Sequence, residues 1–587
     1  MAFDNLTLTA VAAELERQIA GARIGKIHQP DKHTLILRYH GQNGQGKLLL
    51  SAHPQNSRIH ISSSEHDNPA KAPLFAMVLR KWLEGAKITG VAVTAGERVA
   101  QLGFDARNDI GDIVPLKLIL ESMGKHSNIV LVNGEQQIID GIRRYNSELS
   151  RYREVLPGKP YLPPPPQHKL PLSPLNEQRL AEILFAGGAA TLHKALTAHI
   201  AGLSPLLAAH ICAGCGLEEQ HPTEQLGASD IDNIIAELAA LHKIVSERRF
   251  QPTLLVKDGR YVDFCAIRPR QWPDADCRAA DSINAAIDAF YIQREREQLL
   301  HSRRAALSKQ LSLHDRRLSK KIALQEADLC QCEADDAYKL TGDLLSANLY
   351  YLRKGLEQIE LPSFENADQT ITVKLDPALS PSENISRYYR KYSKAKSARV
   401  FIEQQLDKNR KELAYVQSIE TALANCESLP ELEAVEREAA AAKLCKSAAP
   451  GKKKDSAHTA ALPPRRVISA DGFTILIGRN NRQNDQLTLK LAAADDIWLH
   501  TQKIPGSHVI IRSERREIPP STIAEAAAYA AYYSQAAASA KVPVDYTTAS
   551  QVKKPNGAPP GMVVYFEQKT LYVDPVCPKL EPDTAGE

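Results

Sequence analysis

Residues 465–511 read RRVISADGFTILIGRNNRQNDQLTLKLAAADDIWLHTQKIPGSHVII. Apolar, strand-like runs flank a polar stretch in which Asn480, Asn481, Gln483, Asn484, Asp485 and Gln486 sit beside Arg479 and Arg482. Amides and guanidinium groups donate well to phosphate oxygens and base edges and carry little other chemistry. A second cluster follows, Trp498-Leu-His500 and then Ile504-Pro505-Gly506-Ser507-His508. This pattern predicts a surface that recognises RNA rather than a site that cuts or oxidises. Arg479, Asn480, Asn481, Gln483, Asn484, Asp485, His500 and His508 are its candidate contacts. For both histidines a hydrogen-bonded structural role is the competing reading. A metal is disfavoured because no acidic or thiol partner stands at ligand spacing. Trp498 reads as core.

Upstream lies a long charged stretch. Leu300, Leu307, Leu311, Leu318 and Ile322 are spaced 7, 4, 7, 4, one apolar stripe on a helix. No Pro or Gly interrupts residues 281–341, so such a helix reaches on the order of 85 Å at about 1.5 Å per residue. A second long helix is expected from about 383 to 440. The two, joined by a folded tip at about 340–380, make an antiparallel coiled-coil arm. Within the tip, ITVKLDP (371–377) alternates like a strand. The second helix opens with ISRYYRKYSKAKSAR (385–399), which has six basic residues, three tyrosines and no acid. Arg387, Arg390, Lys391 and Lys394 are therefore candidate phosphate contacts, with tyrosines able to stack on bases. A solvated helix face is the alternative.

The first 170 residues look mixed α/β. A helix with Leu8, Val11, Leu15 and Ile19 on one face comes first. Strand-like runs follow at 24–27, 35–38, 48–50, 98–104 and 128–132, with a helix at 74–83. YLPPPPQHKLPLSP then stiffens the chain and marks a boundary. Residues 171–249 read as helical. GLSPLLAAHICAGCG (202–216) begins with a Ser204-Pro205 cap and ends in glycines. A helix-hairpin-helix that offers backbone N–H groups to phosphate and an ordinary helical hairpin fit it equally. Residues 250–280 form a short β insert, 281–445 the arm, and 446–466 a flexible linker. A C-terminal domain covers 467–575, with a helix rich in Ala and Tyr at 521–540 and a loose tail at 576–587. The fold class expected is multidomain α+β: an N-terminal mixed α/β domain, a helix-hairpin-helix-like domain, a coiled-coil arm with a folded tip, and a C-terminal α/β RNA-binding-like domain.

A chain of 587 residues is too long for one core and suggests about three to five domains. A net charge of +4 is mild, so any nucleic-acid surface must be local. No run approaches the roughly 18 apolar residues of a membrane helix, and Asp4 sits where a secretion signal carries a cation. A cytoplasmic protein is expected. Cys212 and Cys215 form the single C-x-x-C pair, without a second pair at zinc spacing.

In this order, the segments resemble the NFACT family, whose members include the RqcH and NEMF proteins and proteins once labelled FbpA-type fibronectin-binding proteins. The resemblance rests on DGFTILIGRNNRQND, DIWLH and PGSH, on GDLLSANL and LDPALSPSENISRYYRKYSKAK, and on LRKWLEG, ESMGKHSNI and SRYREVLPGKPY. It covers nearly the whole chain. It implies a factor, not strictly an enzyme, that binds the large ribosomal subunit and its rRNA after a stalled ribosome splits. Such a factor meets the trapped peptidyl-tRNA and recruits charged tRNA, alanyl-tRNA above all, for untemplated C-terminal tailing. No cofactor, membrane or DNA partner is implied. The family's N-terminal signature is an early Asp and a later Asp-Arg pair. Asp4 matches the first, and counting back from RNDIGD (107–112) places Glu97-Arg98 on the second, with Glu in place of Asp. Asp105 and Arg107 give an alternative register with an Ala between them. The tRNA-contact candidates are Asp4, Glu97, Arg98, Lys125, His126 and Asn128, the last three on the turn GKHSN. An ion pair of Arg98 with Glu97 or Asp4 is the structural alternative.

Three other readings stay open. One is a passive binder of obstructed subunits that does not tail. Another is a fibronectin-binding surface adhesin. The last is a base-excision enzyme, which would need a proline amine as nucleophile; the chain instead begins Met1-Ala2-Phe3. There is no GxxxxGK[ST] phosphate loop.

Overall fold

The computed structural model describes residues 3–580 apart from 109, 149, 151, 186–190, 335–336, 365–368 and 446–461. The chain divides into two compact units, Met1–Arg296 and Glu297–Glu587.

In the first unit, α1 (Asn5–Ile19) forms because Leu8, Val11, Leu15 and Ile19 recur at helical spacing, and all four are fully buried. Each such burial contributes roughly 1.5–3 kcal/mol. Asp4 caps the helix, its carboxylate accepting from Thr7 N at 2.8 Å. The helix packs on a nine-stranded antiparallel sheet. Its strands are β1 (Arg23–His28), β2 (Thr34–Gly41), β3 (Gly44–Ser51), β4 (Arg58–Ile61), β5 (Lys87–Val93), β6 (Val99–Arg107), β7 (Ile113–Glu121), β8 (Asn128–Asn133) and β9 (Ile138–Gly141). Their order is β4-β3-β2-β1-β5-β6-β7-β8-β9. Two meanders meet at β1 and β5 through the register pair Arg23↔Lys87, and α2 (Leu74–Leu83) packs on β1 beside that seam.

Four helices follow: α3 (Glu177–Phe185), α4 (Leu192–His199), α5 (Pro205–Gly214) and α6 (Ala228–Ser246). Ser204 caps α5, accepting from Leu207 N, with Pro205 at the first helical position where its missing N–H costs nothing. The turn from α4 to α5 passes through Gly202 at φ +80°, a conformation that favours glycine. Strands β10 (Thr253–Lys257), β11 (Arg260–Cys265) and β12 (Cys277–Ala279) make a small sheet. The start of α7 (Ile283–Ala334) is capped by Glu14, which accepts from Ile283 N at 2.8 Å and from Asn284 Nδ2 at 2.7 Å.

In the second unit, α8 (Ala337–Ala347) and the hairpin of β13 (Gln358–Pro362) and β14 (Thr370–Lys374) share a core of Leu344, Leu345, Leu352, Leu361 and Val373. Next come α9 (Pro381–Ala424) and α10 (Leu429–Ala441). Leu307, Leu311 and Leu318 of α7 bury against Val416, Ile419 and Leu423 of α9 and Leu432 and Val435 of α10. Ser312–Glu420, Asp315–Gln417 and Lys321–Asn409 hydrogen bonds show that α7 and α9 run in opposite directions.

The C-terminal part contains β15 (Arg465–Ile468), β16 (Thr474–Ile477), α11 (Asn481–Gln486), β17 (Ile497–Thr501), β18 (Val509–Ile511), α12 (Pro520–Tyr532), β19 (Val542–Thr548), β20 (Val552–Lys553), β21 (Val564–Tyr565) and β22 (Lys569–Val573). The main sheet runs β15-β16-β18-β17-β19-β22, and β20 pairs with β21. Ile475, Ile477, Leu499, Val509 and Ile511 meet Ala526, Ala527, Ala530 and Ala531 of α12 in one core.

Two expectations are corrected. The second long helix does not run on to 440. It stops at Ala424 and restarts at Leu429 because Ser428 and Glu431 form a capping box with Pro430 in the first turn. A proline deeper in a continuing helix would clash with the preceding turn. The Ala/Tyr helix ends at Tyr532 rather than 540. There Gln535 N donates to Pro505 O at 2.9 Å and Gly506 bridges Ser534, so the backbone pairs with a loop instead of its own turn. The polar stretch 481–491 is α11 followed by a π-helical turn over Leu487–Leu491. Residues 446–461 of the expected linker and 581–587 of the expected tail lie outside the described residues.

Candidate nucleic-acid interface

Residues far apart in sequence converge at the N-terminus of α1. Asp4 is buried and accepts from Ser204 Oγ at 2.6 Å. Burial pushes its carboxyl above the ordinary 3.8, although the bonds from Ser204 and Thr7 oppose that rise. Arg98 lies at the entry to β6, half-buried, with its charge facing Asp4 and Glu97. Burial lowers its pKa and the two carboxylates pull it back up. Glu97 takes a hydrogen bond from Gln167 Nε2 at 3.0 Å, and its carbonyl accepts from Asn5 Nδ2. The structure thus brings Asp4, Glu97 and Arg98 together. Asp105 and Arg107, the alternative register, lie farther along β6, and Asp105 is paired in register with Lys87. Beside Asn5 and Gly96 opens a cavity of about 500 Å³, reached by Glu16, His242 and Arg248.

Lys125, His126 and Asn128 divide. Gly124–His126 is a 3₁₀ turn with Lys125 and His126 exposed. Asn128 is fully buried: its amide donates to Arg143 O at 3.0 Å and its oxygen accepts from Arg143 N and Ile129 N. That buried side chain holds the turn. Around the turn stand an arginine and two histidines that sequence reading missed. Arg143 Nη1 donates to Lys125 O at 2.7 Å. The His33 and His53 rings meet edge-on at 5.4 Å. Burial keeps the pKa of His33 low, and the fields of His53, Arg143 and Lys32 add to it. These residues come from the β1–β2 and β3–β4 connections and the end of β9, with no shared local motif that would reveal them.

Along α9, Arg387 pairs with Asp376 at 2.9 Å, Arg390 donates to Ser386 O, and Lys391 sits over the rings of Tyr338 and Tyr388 at 5.0 and 5.4 Å. Lys394 is exposed. The hydroxyls of Tyr388 and Tyr389 are taken by Lys374 O and Asp343.

The amide cluster of the C-terminal part is turned inward, with its hydrogen bonds made inside the chain. Asn480 caps α11, accepting from Gln483 N. Asn481, buried, donates to Glu438 and Ser418. Gln483, also buried, donates to Leu462 O and accepts from Arg479 N. Asn484 accepts from His508 N at 3.2 Å. Arg479 binds Glu431 and Pro463 O, and Asp485 binds Lys554. A polar sequence between apolar runs cannot distinguish an exposed helix from one docked on acidic neighbours, and Glu431 and Glu438 are supplied by α10. Arg482 and Lys490 remain exposed. His508 is buried, with Nδ1 2.7 Å from Thr488 Oγ1, and burial depresses both its pKa and that of His500, the latter to about 4. Both imidazoles are neutral near pH 7. Among the described residues no group of three or more His, Cys, Asp or Glu is placed to hold a metal ion, and no helix is long and apolar enough to cross a membrane.

Residues 4–458 match the family model of the NFACT N-terminal and middle domains, and 463–565 match that of the NFACT protein RNA binding domain. The chain is 37% identical to the Rqc2 homolog RqcH of Bacillus subtilis, over 98% of each chain. It is 31% identical to the Rqc2 homolog RqcH of Streptococcus suis over 99% of each, and 24% identical to human ribosome quality control complex subunit NEMF over 63% of this chain and 35% of that one. The solved N-terminal part of the fibronectin/fibrinogen-binding protein from Streptococcus suis is 30% identical. It covers 50% of this chain and 99% of its own, with a TM-score of 0.41.

Proposed function

The chain belongs to the NFACT family, and on that footing we propose that it is a ribosome-associated quality control factor of the cytoplasm. It binds the split large ribosomal subunit with its trapped peptidyl-tRNA and recruits charged tRNA, alanyl-tRNA above all, for untemplated tailing of the nascent chain. Peptide-bond formation belongs to the ribosome, so this chain acts by binding and positioning.

The observation that carries the reading is the gathering of Arg98 with Asp4 and Glu97. A guanidinium held between carboxylates and partly removed from water is oriented before the ligand arrives, so little side-chain freedom is lost on binding. The exposed Lys125, with Lys32 and Arg143 nearby, extends positive charge along an RNA backbone, and His126 adds a hydrogen-bonding group beside it. The helical pair α4–α5 acts as a helix-hairpin-helix-like support. The paired helices α7 and α9 serve as a coiled-coil arm. Arg387, Arg390, Lys391 and Lys394 give it a second RNA contact, which raises the effective concentration of the first. In the C-terminal part, RNA contact falls to exposed cations such as Arg482, Lys490 and Lys503, while the inward amides set the shape of the surface.

Glu97 favours keeping a second reading, a subunit binder without tailing, because its carboxylate sits one methylene farther out than the family's Asp. The test is purification of the tagged chain from cells, with sequencing of all bound RNA. Large-subunit rRNA with one enriched elongator tRNA supports tailing and identifies the added residue. Large-subunit rRNA with mixed tRNAs favours the passive binder. No rRNA above a mock control rejects both.

A further inference from the structure

Where α9 meets the C-terminal sheet, a half-open cavity of about 300 Å³ is walled by rings. Trp498 is fully buried. The His500 ring lies nearly parallel to it at 5.8 Å and 19°, the Tyr565 ring is tilted at 4.8 Å, and the His508 ring stands edge-on at 5.2 Å. Pro559 and Pro560 add flat apolar surface. The ring nitrogens of His508 and His500 are engaged with Thr488 and with the backbone, and neither ring is charged near pH 7. Trp498 Nε1 differs: it is buried and has no hydrogen-bond partner. A buried N–H left unpaired costs about 1–3 kcal/mol, so a ligand that brought an acceptor to it would recover that cost. Lys503 lines the same cavity, exposed, with a left-handed backbone at φ 54°. Among the described residues it has no acidic partner.

We propose that this cavity receives a single unstacked nucleobase of single-stranded RNA, with the Trp498 indole N–H bonding a base acceptor and Lys503 meeting the adjoining phosphate. The inference rests on the RNA-binding reading above and specifies how the C-terminal part binds. The volume lies at the small end of ligand pockets and suits one base, not a paired stem. Aromatic walls accept any base face, so the site reads the presence of a base more than its identity. An apolar side chain of a partner protein would fill the volume but leave both the indole N–H and the lysine unused. RNA uses both.

The experiment uses the full chain and a short single-stranded oligoribonucleotide carrying one 2-aminopurine, compared with the same strand made abasic at that position. Stacking of one base changes affinity by roughly 5- to 150-fold. For the wild type we expect strong quenching of 2-aminopurine on binding, and at least a fivefold loss of affinity for the abasic strand. Met562→Trp, which fills the cavity from its partly exposed rim, is expected to abolish the quenching and the base-versus-abasic difference. Lys503→Gln is expected to weaken both strands equally. Equal affinity of the wild type for both strands, without quenching, overturns the proposal while leaving RNA binding intact, and needs no variant to fold. Binding of neither strand overturns the RNA reading itself. A change of Trp498 emission produced by ribosomal proteins but not by RNA overturns the base pocket in favour of a protein occupant.

Discussion

Ser204 donates a 2.6 Å hydrogen bond to the carboxylate of Asp4, tying the cap of α5 to the cap of α1 across 200 residues of sequence. One carboxylate therefore caps its own helix, braces a second and attracts Arg98. Because the group is buried, its pKa is raised above 3.8. For an acid with a raised folded pKa, the stabilising contribution is complete below the unfolded pKa and is lost as pH rises through the folded one. Asp4→Asn, which keeps a capping oxygen, is expected to gain melting temperature relative to wild type as pH rises from 3.8 towards 7. Parallel thermal melts across that range check it, and an unchanged difference between the two proteins rejects it.

Arg98→Ala is expected to weaken tRNA binding by at least tenfold while shifting the melting temperature little. Arg98→Lys should not restore full affinity, because an ammonium lacks the planar fork. Filter binding at fixed salt measures this. Full rescue by lysine would reduce the contact to a point charge.

On the GKHSN turn, neighbouring residues have separable roles. Lys125→Ala should leave stability unchanged and lower the slope of log affinity against log salt by about one. Asn128→Ala removes bonds to Arg143 and Ile129 in a buried site and should cost about 1–3 kcal/mol of stability. Salt titrations and denaturant melts on both variants distinguish them.

Glu431→Ala strands Arg465, which is 1% exposed and hydrogen-bonded to Glu431 at 3.0 Å. Removing one partner of a buried ion pair costs roughly 3–5 kcal/mol, so this substitution should destabilise the second unit more than any substitution on the surface of α9. Replacing Arg465 and Glu431 together with apolar residues should recover part of the loss.

His500 titrates at about 4, well under its ordinary 6.5. A histidine with a depressed folded pKa stabilises above the unfolded pKa, and that contribution is lost as pH falls through the folded one. The C-terminal part should lose stability between pH 6.5 and about 4, with a shallower loss in His500→Gln. Tryptophan emission followed through an acid titration reads it.

Periodicity and punctuation made much of the fold legible. The Leu300–Ile322 stripe marks a face that is buried in the structure, and Ser204-Pro205 marks a helix start that is present. These are local signals, because helical spacing and capping depend on residues within a turn of each other. Local reading failed where backbone partners came from elsewhere, as at the end of α12, and where a restart signal, Ser428-Leu429-Pro430-Glu431, was hidden inside a helical pattern. Nor does composition show where the amides of 480–486 point: acidic groups on α10 and the loop around His508 take up their hydrogen bonds.

By itself the sequence determined the family, the order of the elements and which faces must be buried, since these follow from residue types at fixed short spacing. The tertiary structure decided which polar groups remain available. Asp4, Arg98 and Ser204 meet only when α1, β6 and α5 pack together. Whether Asn481 or Lys503 faces solvent depends on what docks against it. A hydrogen-bonding group is satisfied by whatever lies within about 3 Å, and for most of these residues that neighbour lies tens or hundreds of positions away along the chain.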